Sequence, residues 1–162
     1  MRVLMVVDMQ RGFIQGNSVY ERLKDRIDEY IDREAYDLVV YTKFKNIPHK
    51  NSLYVSRLDY AGMRTPTEQS IVVHMSENYV ILEKFGYALD QEGVECIQSL
   101  GVDSIDMCGI QADACVYAIA LQLFDMGVYP NILMNYVATE PSLQDSMRKI
   151  YEHQFGAVDD RN

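Results

Sequence analysis

Short apolar runs alternate with amphipathic segments along the chain, and this alternation limits the possible folds more than any other feature of the sequence. The runs are too short for buried helices, and they are typical of strands that are buried on both faces. Strands are predicted at residues 2–7, 38–42, 79–82, 104–108 and 129–134, with a short sixth strand at 155–158.

The segments between the strands predict helices, because their apolar residues recur at helical spacing and several of the segments end at glycine. Helices are predicted at residues 21–35, 90–100, 112–126 and 141–153, with a short one at 66–75 that Thr65 caps and Pro66 opens. Residues 43–63 show no clean period and are predicted to form a loop with irregular helix. Strands that alternate with helices in this way predict a parallel sheet with helices on both faces.

The 162 residues contain no internal repeat and no linker-like stretch, so we predict a single domain over residues 1–162. The net charge of −9 disfavours nucleic acid and anionic membranes as partners, because both are bound through clustered Lys and Arg. A small molecule is therefore the expected partner. The apolar run that begins the chain is too short for a signal peptide or a membrane span. Three cysteines without disulfide-like spacing are typical of reduced thiols, which predicts a cytoplasmic protein.

Three chemically active side chains fall at one edge of the predicted sheet. Asp8 ends the first strand, Lys84 closely follows the third, and Cys115 lies at the start of the helix after the fourth. In parallel sheets of this kind, ligands bind outside the carboxyl ends of the strands. Because they share this position, we favour the interpretation that the three residues form one functional site over the interpretation that they have unrelated structural roles.

Each of these residues also has a plainer interpretation when it is taken alone. Cys115 in the first turn of a helix has its thiolate favoured by the helix dipole, or it is a small buried apolar residue. Asp8 is a general base for the thiol, or it caps a loop by accepting backbone N–H groups. Lys84 favours the thiolate, or it is an ordinary solvated lysine.

The sequence contains no recognisable site for a metal or a cofactor. His49, His74 and His153 form no short metal-ligand spacing. Glycine-rich nucleotide motifs and the serine-hydrolase elbow are also absent from the sequence. We therefore predict no cofactor and no bound metal.

Three segments, in order, resemble the motifs of the isochorismatase-like and nicotinamidase-like cysteine hydrolases. They are Val-Asp-Met-Gln-Arg-Gly-Phe at residues 7–13, Glu-Lys-Phe-Gly-Tyr-Ala at 83–88 and Gly-Ile-Gln-Ala-Asp-Ala-Cys-Val at 109–116. The resemblance covers nearly the whole chain. It implies a three-layer α/β/α fold with a parallel, Rossmann-like, six-stranded sheet, and a homodimer or homotetramer.

The resemblance also implies roles for individual residues. Asp8 would take the thiol proton, Lys84 would stabilise charged intermediates, and Cys115 would attack an amide or carbamoyl carbonyl to form a thioester. It further implies a cis peptide bond between Ile110 and Gln111, and an oxyanion site made by the backbone N–H groups of Gln111 and Cys115. Phe13, Phe44 and Tyr87 are assigned to the substrate pocket, although simple packing is the alternative for Tyr87.

Two departures from the family pattern restrict what can be carried over. The Asp-x-His segment of metal-dependent nicotinamidases is missing after the second strand, where Thr42 is followed by residues 43–49 without that pattern, and His74 is a lone candidate. This argues against zinc or iron. The chain is also short between the second and third strands, a region that shapes the pocket, so the substrate cannot be carried over.

Three functions are consistent with these observations. The first is hydrolysis of a small amide or carbamoyl compound through a thioester. The second is an isochorismatase-type vinyl-ether hydrolase, which would release no ammonia. The third is a catalytically retired binding module, in which the Cys115 thiol would not be reactive.

Overall fold

The computed structural model describes residues 1–47, 50 and 62–162, and these form a parallel sheet between two layers of helices. The strands are β1 Val3–Val7, β2 Leu38–Phe44, β3 Tyr79–Lys84, β4 Ser104–Ile110 and β5 Tyr129–Ala138. The helices are α1 Arg11–Ile14, α2 Ser18–Arg33, α3 Gln91–Leu100, α4 Cys115–Asp125 and α5 Pro141–Phe155. None of these helices is long and apolar enough to cross a lipid bilayer.

All neighbouring strands are parallel, in the order β3-β2-β1-β4-β5. The chain leaves β1 towards β2 and β3 on one side and then returns to β4 on the other side. The order therefore reverses between β1 and β4, which is where parallel α/β sheets leave a crevice for a ligand. The predicted α/β architecture is confirmed.

The two faces of the sheet have separate hydrophobic cores. Val3, Met5 and Val7 of β1 pack into the cluster that includes residues of α3, α4 and α5. Leu4 and Val6 of the same strand face the cluster built on α2. Because β1 is buried on both faces, all of its side chains have to be apolar, which explains its unbroken apolar sequence.

The sheet has five strands within the described residues, and the sixth strand predicted at 155–158 is replaced by other structure. Phe155 is the last residue of α5, and Gly156 ends that helix in the left-handed conformation with a φ of 87°. Only Asp159 then reaches the sheet, through a single parallel bridge to Leu133. The helix therefore takes up Phe155, the first residue that the apolar pattern assigned to the strand, and Gly156 to Val158 form neither helix nor strand.

The helix predicted at 66–75 is also absent, since residues 66–69 form only a turn. Thr65 and Glu68 make the reciprocal side-chain bonds to backbone N–H groups that usually start a helix. The following residues instead bond to the loop after β1, as the Val72 N–H does to the Met9 carbonyl. Tertiary pairing thus overrides the local signal. Residues 48, 49 and 51–61 of the predicted loop 43–63 lie outside the described residues.

Gly109, near the end of β4, lies directly against the backbone of β1. Its φ is +115°, and a Cβ atom built on it would lie 2.2 Å from the Val7 carbonyl oxygen. No L side chain fits such a gap, so glycine is required here on both conformational and steric grounds. This close approach brings the end of β4 next to the end of β1.

We expect Gly109→Ala to lower the free energy of unfolding by more than about 4 kcal/mol, because main chain meets the new methyl group. Gly127→Ala is the matched control, since Gly127 has a φ of +81° but no heavy atom within 4 Å of the position that a Cβ would take. It should cost only about 1–2 kcal/mol, the conformational penalty alone. Urea unfolding followed by circular dichroism measures both, and equal losses would contradict the steric argument.

Candidate active site

Asp8 follows β1 directly and is 1% exposed. Its φ of +51° lies in the left-handed region, which Asp and Asn tolerate better than most residues. The Thr42 hydroxyl donates to Asp8 Oδ1 at 2.6 Å and accepts the Asp8 backbone N–H at 3.1 Å. Thr42 lies near the end of β2, so the neighbouring strand fixes both the backbone and the carboxylate of Asp8.

Lys84 is the last residue of β3 and is fully buried. Its Nζ lies 2.7 Å from Asp8 Oδ2, 2.8 Å from the Gly86 carbonyl oxygen and 3.3 Å from Cys115 Sγ. The ammonium group therefore donates hydrogen bonds to the Gly86 carbonyl oxygen and the Cys115 sulfur and is in ionic contact with Asp8. Burial alone would lower the pKa of Lys84, but Asp8 and Cys115 outweigh it and raise the pKa, so the ammonium stays charged.

The ring of Phe44 also contacts this ammonium group. Lys84 Nζ lies 5.5 Å from the ring centroid, within the range of a cation–π interaction. Phe44 is the last residue of β2 and pairs with Lys84 in the β2–β3 register. The ring of Phe44 thus contacts both the buried charge and the cavity.

Cys115 is the first residue of α4 and is half-buried. The peptide bond between Ile110 and Gln111, just before it, is cis. The connecting loop is held at Ala112, whose N–H donates to the Ala138 carbonyl oxygen at 3.0 Å and whose carbonyl accepts the hydroxyl of the buried Tyr151. The main chain of β5 and a side chain of α5 therefore position the turn that carries the thiol.

The resting state of Cys115 differs from the one that the sequence predicts. Its position in the helix and its lysine neighbour predict a favoured thiolate. In the structure, burial and the Asp8 charge raise the pKa of the Cys115 thiol, and Lys84 only partly opposes them. Both effects favour the protonated thiol over the thiolate in the free protein.

Asp8 has an oxygen that can receive this proton. Oδ2 is buried and accepts no hydrogen bond of normal geometry from the described residues, although it is in ionic contact with Lys84. The other oxygen is already bonded to Thr42. Asp8 Oδ2, the oxygen in contact with Lys84, is therefore the one that is free to accept a proton.

A cavity of about 220 Å³ opens over these groups. Its size fits a small molecule rather than a polymer. It brings together most residues that the sequence assigns to the site and adds several others: Asp8, Gly12, Phe13, Tyr20, Phe44, Gly86, Tyr87, Ile110, Gln111, Ala114 and Cys115. The rings of Phe13 and Phe44 lie 6.0 Å apart on one wall, and Tyr87 is 42% exposed.

Sequence reasoning missed Thr42 and Tyr20. Thr42 had a usable signal, since it is a polar residue near the carboxyl end of a strand next to β1. Tyr20 had no such signal in the sequence. It reaches the cavity from the first turn of α2, and the way that helix packs on the sheet determines where the side chain lies. Asn17 caps α2 by accepting the N–H groups of Val19 and Tyr20, and the helix therefore begins three residues before the predicted start at 21.

The described residues do not fit a bound metal ion. They contain no group of three or more His, Cys, Asp or Glu side chains close enough to share one. His74 lies in the segment before β3 and contacts α2, where its Nδ1 is 3.0 Å from Asp32 Oδ2. His153 is in the last turn of α5, and His49 lies outside the described residues.

The family model of the isochorismatase domain matches residues 2–158. N-carbamoylsarcosine amidase from Thermoplasma acidophilum has a TM-score of 0.79 at 21% identity, covering 99% of this chain and 96% of that one. Pyrazinamidase of Pyrococcus horikoshii in complex with zinc has a TM-score of 0.77 at 21% identity, with 95% and 96% covered. Pyrazinamidase/nicotinamidase from Streptococcus mutans gives 0.81 at 13% identity, with 98% and 99% covered. No curated protein sequence matches the chain.

The raised pKa of Cys115 predicts how its alkylation by iodoacetamide depends on pH. Because thiolate is the reacting form, alkylation at pH 7 should be slow and should rise only above the ordinary thiol pKa of about 8.5. Asp8→Asn removes a negative charge, lowers the thiol pKa and should speed the reaction at pH 7 at least about tenfold. Lys84→Met should slow it further.

Peptide mass spectrometry would follow Cys115 in all three proteins, with half-buried Cys96 as the internal reference. Asn is chosen at position 8 because it tolerates the left-handed backbone there. Wild-type Cys115 reacting faster than Cys96 at pH 7 would mean that the thiolate is the resting state.

Proposed function

Because the chain belongs to the isochorismatase family of hydrolases, we propose that it hydrolyses a small amide or carbamoyl compound with Cys115 as the nucleophile. The observation that carries the proposal is the contact of one buried ammonium group, Lys84, with both Asp8 and the Cys115 sulfur. Asp8 and Cys115 line a cavity of small-molecule size, and the buried Lys84 contacts both of them. The arrangement pairs a nucleophile with a proton acceptor and a fixed positive charge.

In the first step, the thiol proton passes from Cys115 Sγ to Asp8 Oδ2, and the sulfur attacks the carbonyl carbon. The transfer leaves the buried cluster electrically neutral overall, because one negative charge moves from oxygen to sulfur. Lys84 keeps its proton and stabilises the new thiolate at 3.3 Å. No charge has to enter or leave the low-dielectric interior, which is where such a movement would be costly.

The tetrahedral intermediate carries a negative oxygen, for which we assign the backbone N–H groups of Gln111 and Cys115. Both residues line the cavity, and the Cys115 N–H is at the amino end of α4, where the helix dipole favours negative charge. Collapse of the intermediate breaks the C–N bond, and Asp8 returns its proton to the leaving nitrogen. The products of this half-reaction are a thioester on Cys115 and ammonia or an amine.

Water completes the cycle. Asp8, again a carboxylate, accepts a proton from the attacking water, and the oxygen adds to the thioester carbonyl. The C–S bond then breaks, the thiol regains its proton, and a carboxylic or carbamic acid leaves. Asp8 thus serves as proton acceptor and donor in turn, which its contact with both Lys84 and the cavity permits.

The names of the structural neighbours agree with amide chemistry. One is an amidase for N-carbamoylsarcosine, and others are pyrazinamidases and nicotinamidases. A vinyl-ether substrate would leave the nucleophilic role of Cys115 without a purpose. The triad geometry therefore favours amide or carbamoyl hydrolysis.

Cys115→Ala should reduce ammonia release from a small-amide panel at least about 10³-fold, the scale of loss seen when a catalytic nucleophile is removed. Cys96→Ser is the matched control, because Cys96 lies on α3 and does not line the cavity. A coupled ammonia assay measures turnover, and hydroxylamine trapping followed by mass spectrometry detects the thioester on Cys115.

Ammonia release that persists in Cys115→Ala would overturn the nucleophile assignment. A wild-type protein that cleaves a vinyl ether but no amide would instead support the isochorismatase-type reaction. A wild-type protein that only binds members of the panel would support the retired module.

A further inference from the structure

Tyr20 places a hydroxyl group in the cavity that the reaction above does not use. It lies in the first turn of α2, is 4% exposed and lines the cavity. Its oxygen accepts a hydrogen bond from Gln111 Nε2 at 2.8 Å. Gln111 is also the residue whose backbone N–H is assigned to the oxyanion.

The hydroxyl proton of Tyr20 has no acceptor among the described residues. Gln111 Nε2 acts as the donor in the bond between the two side chains, so it cannot receive that proton. A buried donor without an acceptor costs free energy, and native proteins rarely leave one in place without a reason. The cavity beside Tyr20 offers room for the missing acceptor to belong to a ligand.

The surroundings of Tyr20 keep this donor neutral. Burial is the largest cause and raises the pKa of its phenol. The hydrogen bond with Gln111 opposes this rise, and the nearby carboxylates of Glu140 and Asp113 add to it. The same two carboxylates disfavour an anionic group at this point. An anionic ligand group near Tyr20 would also lack a cationic partner, because none of the described residues that line the cavity carries a positive charge.

The backbone of Tyr20 is also fixed in place. Asn17 Oδ1 accepts the Tyr20 N–H at 3.3 Å and the Val19 N–H at 3.1 Å, which anchors the first turn of α2. The bond to Gln111 then ties the phenol to the loop that carries Cys115. The donor is therefore held at a set position relative to the nucleophile, as selection between similar substrates requires.

We propose that Tyr20 determines specificity by donating a hydrogen bond to an uncharged acceptor atom at the end of the substrate remote from the scissile carbonyl. The inference rests on the proposed amide hydrolysis. It restricts the substrate class to small amides that carry a neutral acceptor, such as a ring nitrogen or a carbonyl oxygen. Amides with a carboxylate at that end are excluded.

Benzamide and its three ring-aza isomers test this assignment, because they differ in one acceptor atom and hardly in shape. The best aza isomer should exceed benzamide in kcat/KM at least about tenfold in the wild type, the scale expected for one buried hydrogen bond. Tyr20→Phe should reduce this ratio to about two or less, because hydrolysis of the aza isomer loses more rate than hydrolysis of benzamide does. 3-Carbamoylbenzoate should be a poorer substrate than benzamide in both proteins.

Tyr30→Phe is the matched control. Tyr30 is a buried tyrosine on the same helix, its hydroxyl is hydrogen-bonded to that of Tyr36, and it does not line the cavity. It should keep the wild-type ratio. Any general effect of losing a hydroxyl from α2 would appear in both variants.

The outcomes separate the two proposals. Equal ratios in the wild type and Tyr20→Phe, with both amides hydrolysed, overturn the role of Tyr20 and leave amide hydrolysis intact. A wild-type protein that shows no preference for any aza isomer over benzamide also overturns the role of Tyr20, whether or not the variant folds.

If no amide is hydrolysed, the proposed function fails. In that case, calorimetry measures the binding of benzamide and its aza isomers to the Cys115→Ala variant. If none of them binds, or if all bind with the same affinity, the role of Tyr20 is overturned.

Discussion

The ion pair between Lys84 and Asp8 is the interaction on which the rest of the site depends. Both side chains are withdrawn from water, so each would be costly without the other. Their 2.7 Å contact exists only because β3 and β1 end at the same edge of the sheet, with Thr42 of β2 between them. The fold therefore supplies the partner that each charge requires, and the cysteine sulfur joins a pair that is already compensated.

That pairing explains why a thiol with a raised pKa suits this site. Cys115 is protonated at rest because burial and Asp8 oppose a second negative charge beside the first. Once the proton moves to Asp8, the same opposition disappears, and Lys84 faces a single anion as before. In the proposed mechanism, the nucleophile therefore forms only when the proton passes to Asp8, and the resting protein carries no permanently reactive thiolate.

Much of this arrangement could be predicted from sequence, for a physical reason. Asp8, Lys84 and Cys115 each follow a short apolar strand, and the carboxyl ends of parallel strands must meet at one edge. Tyr20 and the turn at residues 66–69 could not be predicted, because tertiary contacts place them and no local period marks them. The sixth strand failed similarly, since α5 continues to residue 155 and only a single bridge remains beyond it.

The position of β3 at the edge of the sheet has a consequence for how long the site persists. Among the strands of the described residues, β3 is hydrogen-bonded to β2 alone, and Tyr79 and Ile81 on it are exposed. Edge strands of this kind open locally at a lower free energy than the central strands do. Each opening withdraws Lys84 and leaves Asp8 as an uncompensated charge. Fraying of this outermost strand would therefore separate Lys84 from Asp8 and Cys115 while the rest of the sheet stays folded.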